Sequence, residues 1–370
     1  MWRTGLWKIA AIAAALAAVR LTTYAVLAHF DLPQAHLPQA LCQWDCNWYL
    51  SIAQHGYDVA RYDVGGFSRA NWAFFPLFPL LVRAVTALAG TDPKVAGVLI
   101  STAAFIAFAT LGALYRRISR GETSPWNWLL LVSAWPFSFY FHAQYTEALY
   151  AALTTLVLLA LTENRPLGAG IACAALTATR PTGILLAAWI GLRQLRYIGS
   201  ANTPRHTLIW LLPTAIAPLG LVIFMAFLYL HAGDALAFHH IQSGWERQGG
   251  NPLTVLVRAL SRFDPSHPHP GALYLPGWAI LGLAAAAWLL AARRFAEAWL
   301  CGMTVIMALA SGTVFSVSRY VSASPVFLFV VADLMNKIRQ PWLRWAILLA
   351  MVALQVFLVL AWYRGADFLN

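Results

Sequence analysis

Residues 8–28, KIAAIAAALAAVRLTTYAVLA, decide the class of this fold, because they are apolar over the length of a membrane crossing. A helix of about 20 residues spans a hydrocarbon core of about 30 Å. Similar stretches recur along the 370 residues, of which 60% are hydrophobic and only 11% are charged, against about 25% charged in soluble domains. The sequence therefore predicts an all-α polytopic transmembrane protein, with residues 1–370 as a single domain. No small-residue cleavage site follows residue 28, so we predict a retained span rather than a signal peptide.

Apolar runs bounded by charge, proline or glycine predict about eleven crossings. The stretch 73–90 is excluded from them, because Pro76, Pro79 and the mid-stretch charge of Arg83 are typical of an interfacial or re-entrant helix. Residues 167–179 and 181–195 are treated as a short hairpin with Arg180 at its tip. The predicted crossings are 8–28, 95–115, 126–142, 148–162, 167–179, 181–195, 207–230, 273–291, 297–314, 320–335 and 342–362.

The distribution of basic residues predicts the orientation of these crossings. Lys and Arg in short loops tend to stay on the cytoplasmic side of a membrane. If residues 73–90 do not cross, five clusters of basic residues all fall on that side. The N-terminus is then inside and the C-terminus outside. The loops 29–72 and 231–272 then face outward. The net charge of +11 is scattered among short loops, which argues against nucleic acid as a partner. The clusters are Arg3/Lys8, Arg116/Arg117/Arg120, Arg193/Arg196/Arg205, Arg293/Arg294 and Lys337/Arg339.

Two of the four cysteines, Cys42 and Cys46, stand four positions apart in the first outer loop. A disulfide between them requires an oxidising compartment, and two free thiols are equally compatible with the spacing. The spacing does not match a zinc site. Both alternatives stay open at this point.

Asp45 precedes a short amphipathic segment, residues 47–54, whose apolar side includes Trp48, Tyr49 and Ile52. The pattern predicts a helix lying at the membrane surface with Asp45 at or near its N-cap. Asp45 either only caps this helix or acts as a general base that accepts a proton from an attacking hydroxyl.

Three further charges interrupt apolar sequence on the predicted outer face. Glu147 begins an apolar stretch, where it either favours the helix N-terminus electrostatically or accepts hydrogen bonds from sugar or acceptor hydroxyls. Arg180 and Arg319 lie beside span ends, and snorkelling is the ordinary explanation for arginines there. Neither fits the positive-inside pattern, and a guanidinium fork suits phosphate oxygens, so both are predicted to bind a lipid phosphate.

The second outer loop adds polar and aromatic candidates. Gln242 and Trp245 suit a sugar or lipid headgroup, Arg247 is a third phosphate candidate, and His240 follows a second histidine. A third metal ligand at suitable spacing is missing, and no Asp-x-Asp pair is present, so the sequence predicts neither a metal nor a cofactor.

The run WDCNWYLSIAQHGY at 44–57, followed by AFFPLFPLL at 73–81, closely resembles the PIG-V type of mannosyltransferase, a branch of the membrane-embedded GT-C glycosyltransferases. Matches continue in the same order along the chain, which makes the combination specific. They are the turn at 145–149, the TRPTG turn at 179–183, the loop 233–252 and the Arg-Tyr pair at 319–320.

The resemblance implies an inverting transfer of mannose from a polyprenyl-phosphate donor to an acceptor hydroxyl. Asp45 would be the base, an arginine would neutralise the leaving phosphate without a metal, and Trp44 and Tyr145 join the residues expected near sugar or acceptor. Eukaryotic members act on glycosylphosphatidylinositol precursors, but short loops and 22 Arg against 3 Lys look bacterial. An inner-membrane protein with its site facing the periplasm is therefore expected, and its acceptor, a glycan, lipid or protein, stays open.

Three rival functions remain at this stage. Another GT-C transferase would use the same chemistry on a different lipid-phosphate sugar. A lipid-linked sugar transporter or flippase needs the same phosphate contacts without a base, so it would tolerate Asp45→Asn. A non-catalytic scaffold would tolerate changes at Arg180 and Arg319. The chain shows no internal repeat, so an inverted-repeat transporter has no support from the sequence.

Overall fold

The computed structural model describes residues 3–64, 67–198, 211–245, 247–262 and 270–369. Within these ranges the protein is almost wholly helical. The helices are α1 Arg3–Asp31, α2 Leu37–Ala40, α3 Cys46–His55, α4 Leu77–Ala89, α5 Pro93–Arg120, α6 Trp126–Ala134, α7 Glu147–Thr162, α8 Pro166–Thr177, α9 Ile184–Ile198, α10 Leu219–Ala232, α11 Ala237–His240, α12 Pro252–Ser261, α13 Pro270–Ala291, α14 Phe295–Ala310, α15 Val317–Ser322, α16 Pro325–Lys337 and α17 Pro341–Tyr363.

Five helical segments in the described part are long and apolar enough to cross a membrane, which confirms the predicted fold class. The other helices that coincide with predicted crossings are shorter, from nine residues in α6 to 16 in α7 and α14. Eleven crossings thus stay a prediction. Residues 207–210 of the seventh predicted crossing lie outside the described ranges. The five long segments are Gly5–Asp31, Pro93–Arg120, Leu211–Ala232, Leu273–Ala291 and Pro341–Tyr363.

The prediction of one continuous crossing at 126–142 is wrong. Helix α6 ends at Ala134, because Pro136 disfavours helical backbone at Trp135, whose ψ is 128°. The carbonyls freed by this break are satisfied by side chains from two long helices. Arg20 on α1 donates to the carbonyl of residue 132 at 3.2 Å, and Gln355 on α17 donates to that of Trp135 at 2.5 Å. Buried carbonyls need such partners inside a membrane.

Helix α4 coincides with the stretch 73–90, which was predicted not to cross, and both of its ends lie near one layer of turns. Its first amide donates to the carbonyl of Ala178 at 3.0 Å. Helix α4 ends at Ala89, four residues before α5 begins. The start of α5 lies beside Gln144, whose side-chain amide donates to the carbonyl of Lys94 at 3.2 Å. Both neighbours lie in the layer of turns before α7 and after α8. The charge of Arg83 is explained by α3, because its guanidinium donates to the carbonyl of Ala53 at 2.7 Å near the end of that helix.

The first outer loop is more structured than its sequence suggests. It contains α2, α3 and an antiparallel hairpin of β1 Tyr62–Val64 and β2 Phe67–Arg69, followed by a 3-10 turn at Asn71–Ala73. A surface helix at 47–54 was predicted, and α3 spans Cys46–His55. Its apolar side is buried in the protein, where α3 packs against α4, rather than turned to lipid.

The opposite end of the helices carries an ion-pair network. Arg120 pairs with Glu297 at 2.7 Å and with Asp333 at 2.9 Å, and Arg116 pairs with Asp333 and Glu122. These contacts tie the end of α5 to the start of α14 and the end of α16. The basic clusters around residues 116, 193 and 294 therefore share the end opposite to the turns before α7 and α15. Arg205 lies outside the described residues.

Candidate active site

Four charged side chains from four distant segments meet at the layer of turns where α3, α7 and α15 begin. Arg319 places its Nη2 2.8 Å from Oδ2 of Asp45 and its Nε 3.3 Å from Oε1 of Glu147. Arg180 reaches the same Glu147 oxygen at 2.8 Å. The sequence singled out each of these charges separately, and the fold brings all four together.

Asp45 occupies the N-cap position of α3 but does not cap it. Its backbone is already helical, with φ −63° and ψ −20°, and its side chain makes no capping hydrogen bond. The carboxylate instead pairs with Arg319, and 21% of it remains exposed. The structure thus rules out the simple cap interpretation.

Glu147 and Arg319 form the buried side of the cluster. The Glu147 side chain is 1% exposed and that of Arg319 is 5% exposed. Buried ions of this kind persist when their charges are paired. Nη1 of Arg319 is buried and has no hydrogen-bond partner among the described residues.

Arg180 stands in the turn between α8 and α9, held extended at φ −154° by the proline that follows. Its guanidinium lies 4.9 Å from the ring centroid of Tyr320 and 5.5 Å from that of Tyr150. A cation over an aromatic face is stabilised by the ring quadrupole. The ion pair with Glu147 and these two rings fix the orientation of Arg180.

Arg247 differs from the other two arginines because it has no carboxylate partner in the described part of the chain. It donates to Oε1 of Gln242 at 3.0 Å and to Oγ of Ser316 at 3.1 Å, both neutral acceptors. Residue 246, beside it, lies outside the described ranges. Within the described ranges, then, no carboxylate forms an ion pair with Arg247.

These side chains surround a solvent-open cavity of about 560 Å³. Counted over the described residues only, with Glu147 included, three arginines and two carboxylates leave one positive charge in excess. Burial raises the pKa of the Tyr49 phenol, so this wall offers a neutral hydroxyl. The cavity is lined by Asp45, Tyr49, Ala73, Phe74, Phe75, Thr179, Arg180, Pro181, Gln242, Trp245, Arg247, Arg319 and Tyr320.

Aromatic rings form the side of the cavity toward the first outer loop. Trp48 stacks on Phe74 with their centroids 5.6 Å apart, and both meet Trp245 edge-on. The guanidinium of Arg69 lies 5.7 Å from the Trp245 ring. Such faces suit a sugar ring, whose C–H groups are apolar. Trp48 is not a lining residue itself, and it supports the rings of Phe74 and Trp245 from behind.

Six of the ten predicted site residues line the cavity, and two more lie directly behind it. Glu147 contacts Arg180 and Arg319, and the Tyr145 ring lies 5.1 Å from the Arg319 guanidinium. Trp44 packs edge-on against Trp362 and is not a lining residue. The six are Asp45, Arg180, Gln242, Trp245, Arg247 and Arg319.

His240 does not reach the cavity either. Its Nδ1 lies 2.7 Å from Asp234, on an exposed turn. This hydrogen bond lowers the pKa of the Asp234 carboxyl. The lining residues that sequence reasoning missed are mainly Tyr49, Phe74 and Thr179, all of which stand inside matched motifs and carry no charge to draw attention.

Among the described residues no group of three His, Cys, Asp or Glu side chains is arranged to hold a metal ion. A larger cavity of about 1170 Å³ lies at the opposite end, between the ends of α5 and α7 and the start of α14. Its described lining contains Arg193 and Tyr115 but no carboxylate.

Comparison with known protein families and with curated proteins finds no match. Among solved structures, the archaeal oligosaccharyltransferase AglB from Archaeoglobus fulgidus, in complex with an inhibitory peptide and a dolichol-phosphate, is similar at 14% identity and a TM-score of 0.47. The oligosaccharyltransferase of the same organism in the apo form is similar at 14% identity and a TM-score of 0.46. These alignments cover 100% and 98% of this chain and 56% of each of those. The likeness is too slight to bear on activity, so any function rests on the cavity itself.

Proposed function

We propose that this protein is an inverting glycosyltransferase that moves mannose from a polyprenyl-phosphate donor to an acceptor hydroxyl. One observation carries the proposal. A carboxylate, Asp45, stands 2.8 Å from a buried arginine at a cavity where the described side chains, Glu147 behind it included, leave one excess positive charge. A lipid-phosphate sugar is a phosphodiester with one negative charge, so it matches this excess.

The chemistry assigned to the cavity requires a base and a charge-stabilising group. The acceptor oxygen attacks the anomeric carbon of the sugar while Asp45 takes the hydroxyl proton. The bond between that carbon and the phosphate oxygen breaks, and its electron pair leaves with the lipid phosphate. Charge that develops on the leaving phosphate is stabilised by arginines that are already in place. The step therefore needs neither a general acid nor a metal.

The three arginines have different roles in this proposal. Arg180 and Arg319 are each paired with a carboxylate, so much of their charge is already compensated. Arg247 has only neutral oxygens as partners in the part of the chain that the structure describes, and it is therefore assigned as the principal phosphate ligand. Arg319 holds Asp45 in place and offers its free Nη1 to the same phosphate.

The cavity is proposed to face the periplasm of a bacterial inner membrane. The basic clusters lie at the other end, as the positive-inside rule expects for a cytoplasmic end. Cys42 and Cys46, which the sequence left open as a disulfide or two thiols, are bonded to each other in the structure. A disulfide at the cavity end supports an oxidising compartment on that side.

The test is a donor panel with purified protein and a membrane lipid extract as the source of acceptors. Polyprenyl-phosphate mannose, glucose and arabinose are supplied separately, and mass spectrometry follows the lipid products. The proposal expects mannose donor to disappear with release of polyprenyl phosphate. If only the glucose or the arabinose donor is consumed, the protein is a glycosyltransferase for that sugar and the assignment of mannose is wrong. If no donor is consumed but labelled donor crosses the bilayer of reconstituted vesicles, the protein is a transporter.

A further inference from the structure

Asp45 belongs to a small covalent ring. The disulfide between Cys42 and Cys46 closes it, with Cα atoms 5.2 Å apart, and Gln43, Trp44 and Asp45 form the enclosed segment. The amide of Cys46 also donates to the carbonyl of Gln43 at 3.0 Å across the ring. The residue that carries the proposed base is therefore fixed on a loop with very little freedom.

The loop backbone shows why a constraint is needed. Trp44 has φ +38°, a left-handed conformation that is unfavourable for a residue with a bulky side chain. Without the covalent ring, Trp44 is free to return to negative φ. That change rotates the peptide joining Trp44 to Asp45 and carries the Asp45 carboxylate away from Arg319.

A second constraint acts on the same loop from behind. The Tyr145 hydroxyl accepts from the amide of Asp45 at 3.2 Å and donates to the carbonyl of Gln43 at 2.9 Å. Tyr145 stands two positions before Glu147, so the segment that carries Glu147 also holds the Asp45 loop. Trp362 adds a hydrogen bond to the carbonyl of Leu41 at 3.2 Å, just before the ring.

We infer that the Cys42–Cys46 disulfide is a positioning element, which together with Tyr145 holds the Asp45 carboxylate against Arg319 in the geometry that turnover requires. This inference rests on the proposed function for its effect on rate. Its structural part, a loop held by the disulfide, is independent of what the protein transfers. A misplacement of about 1 Å at a reacting group can cost on the order of 100-fold in rate.

The experiment compares the oxidised chain with the same chain reduced by a phosphine. Reduction breaks the Sγ–Sγ bond, leaves two thiols and oxidises the phosphine to its oxide, and alkylation with mass analysis confirms both new thiols. We expect kcat to fall at least tenfold, with donor affinity and Tm unchanged. Amide exchange of residues 42–49 should rise, while that of residues 77–89 stays the same. Reoxidation should restore both readouts.

A variant provides the control. Cys42 is partly exposed and Cys46 is fully buried, so Cys42→Ser opens the ring with the smaller change to packing. This variant should behave like the reduced chain and show no further response to phosphine. The inference is overturned if the reduced chain keeps its kcat and the amide protection of residues 42–49, or if Tm and donor affinity fall together with kcat. If the oxidised chain transfers no sugar while its exchange responds as expected, the proposed function fails and the positioning role stands.

Discussion

Replacing Arg247 by Met should separate phosphate stabilisation from folding. The two hydrogen bonds that Arg247 makes, to Gln242 and Ser316, have neutral acceptors in a solvent-open cavity. Their loss costs roughly 1–2 kcal/mol of stability, at about 1 kcal/mol each. Removing one donor to a developing anion costs about 2.7–4 kcal/mol in the transition state, or roughly 100- to 1000-fold in kcat. Arg247→Lys should lower kcat less than Arg247→Met does, because lysine keeps the positive charge but lacks the planar guanidinium that can contact two oxygens at once.

The assay measures initial rates against donor concentration, together with direct donor binding and thermal unfolding in detergent. Arg61→Met is the matched control, because Arg61 is an exposed arginine in the first outer loop. It should change kcat by less than about twofold, as ordinary surface substitutions do. A folded Arg247→Met protein with kcat and donor affinity within threefold of the unchanged chain would refute the assignment of Arg247.

Three further predictions concern the buried charges and the orientation. Glu147→Gln leaves two arginines without their shared partner, so stability should fall by about 3–5 kcal/mol, and a loss below 1 kcal/mol in unfolding experiments would contradict the pairing. Arg120→Met should lower stability by a similar amount, because it removes an ion-pair partner of Glu297, whose side chain is only 3% exposed. The protein that remains folded should keep its kcat. A loss of kcat in the folded protein would contradict this prediction and show that the ion-pair network around Arg120 is coupled to the cavity at the other end of the helices. Cysteine introduced at Asp63 should react with a membrane-impermeant reagent in intact cells and cysteine at Arg294 should not, and the reverse labelling would overturn the orientation.

The fold class was predictable because hydrophobic length is a local property of the sequence. Positive-inside counting grouped the clusters around Arg116, Arg193 and Arg294, which the structure also brings to one end of the helices, while the side of the membrane on which this end lies stays a prediction. The break after α6 was missed because Pro136 stands within an apolar run that hydropathy treats as continuous. The partners of the freed carbonyls, Arg20 and Gln355, come from distant helices and leave no local signal.

The candidate site was predictable as a set of residues but not as an arrangement. Asp45, Glu147, Arg180 and Arg319 stand out because charge in apolar sequence is costly. Their pairing depends on contacts between distant segments. The sequence therefore did not show that Asp45 pairs with Arg319 instead of capping α3, or that Arg180 and Arg319 both contact Glu147. The difference between Arg247 and the other two arginines also emerges only from the fold, because which described side chains contact it depends on distant segments.

The central claim, that Asp45 is the base, is tested most directly by Asp45→Asn. Asn keeps the shape of the side chain but accepts no proton, so the account predicts a loss in kcat of about 10² to 10⁴-fold. Donor binding should persist, while Tm should fall below that of Asp63→Asn, a matched change at an exposed carboxylate of the same loop, because the ion pair with Arg319 is lost. Near-normal turnover by a folded Asp45→Asn protein that still binds donor would contradict the claim and transfer the role of base to Glu147.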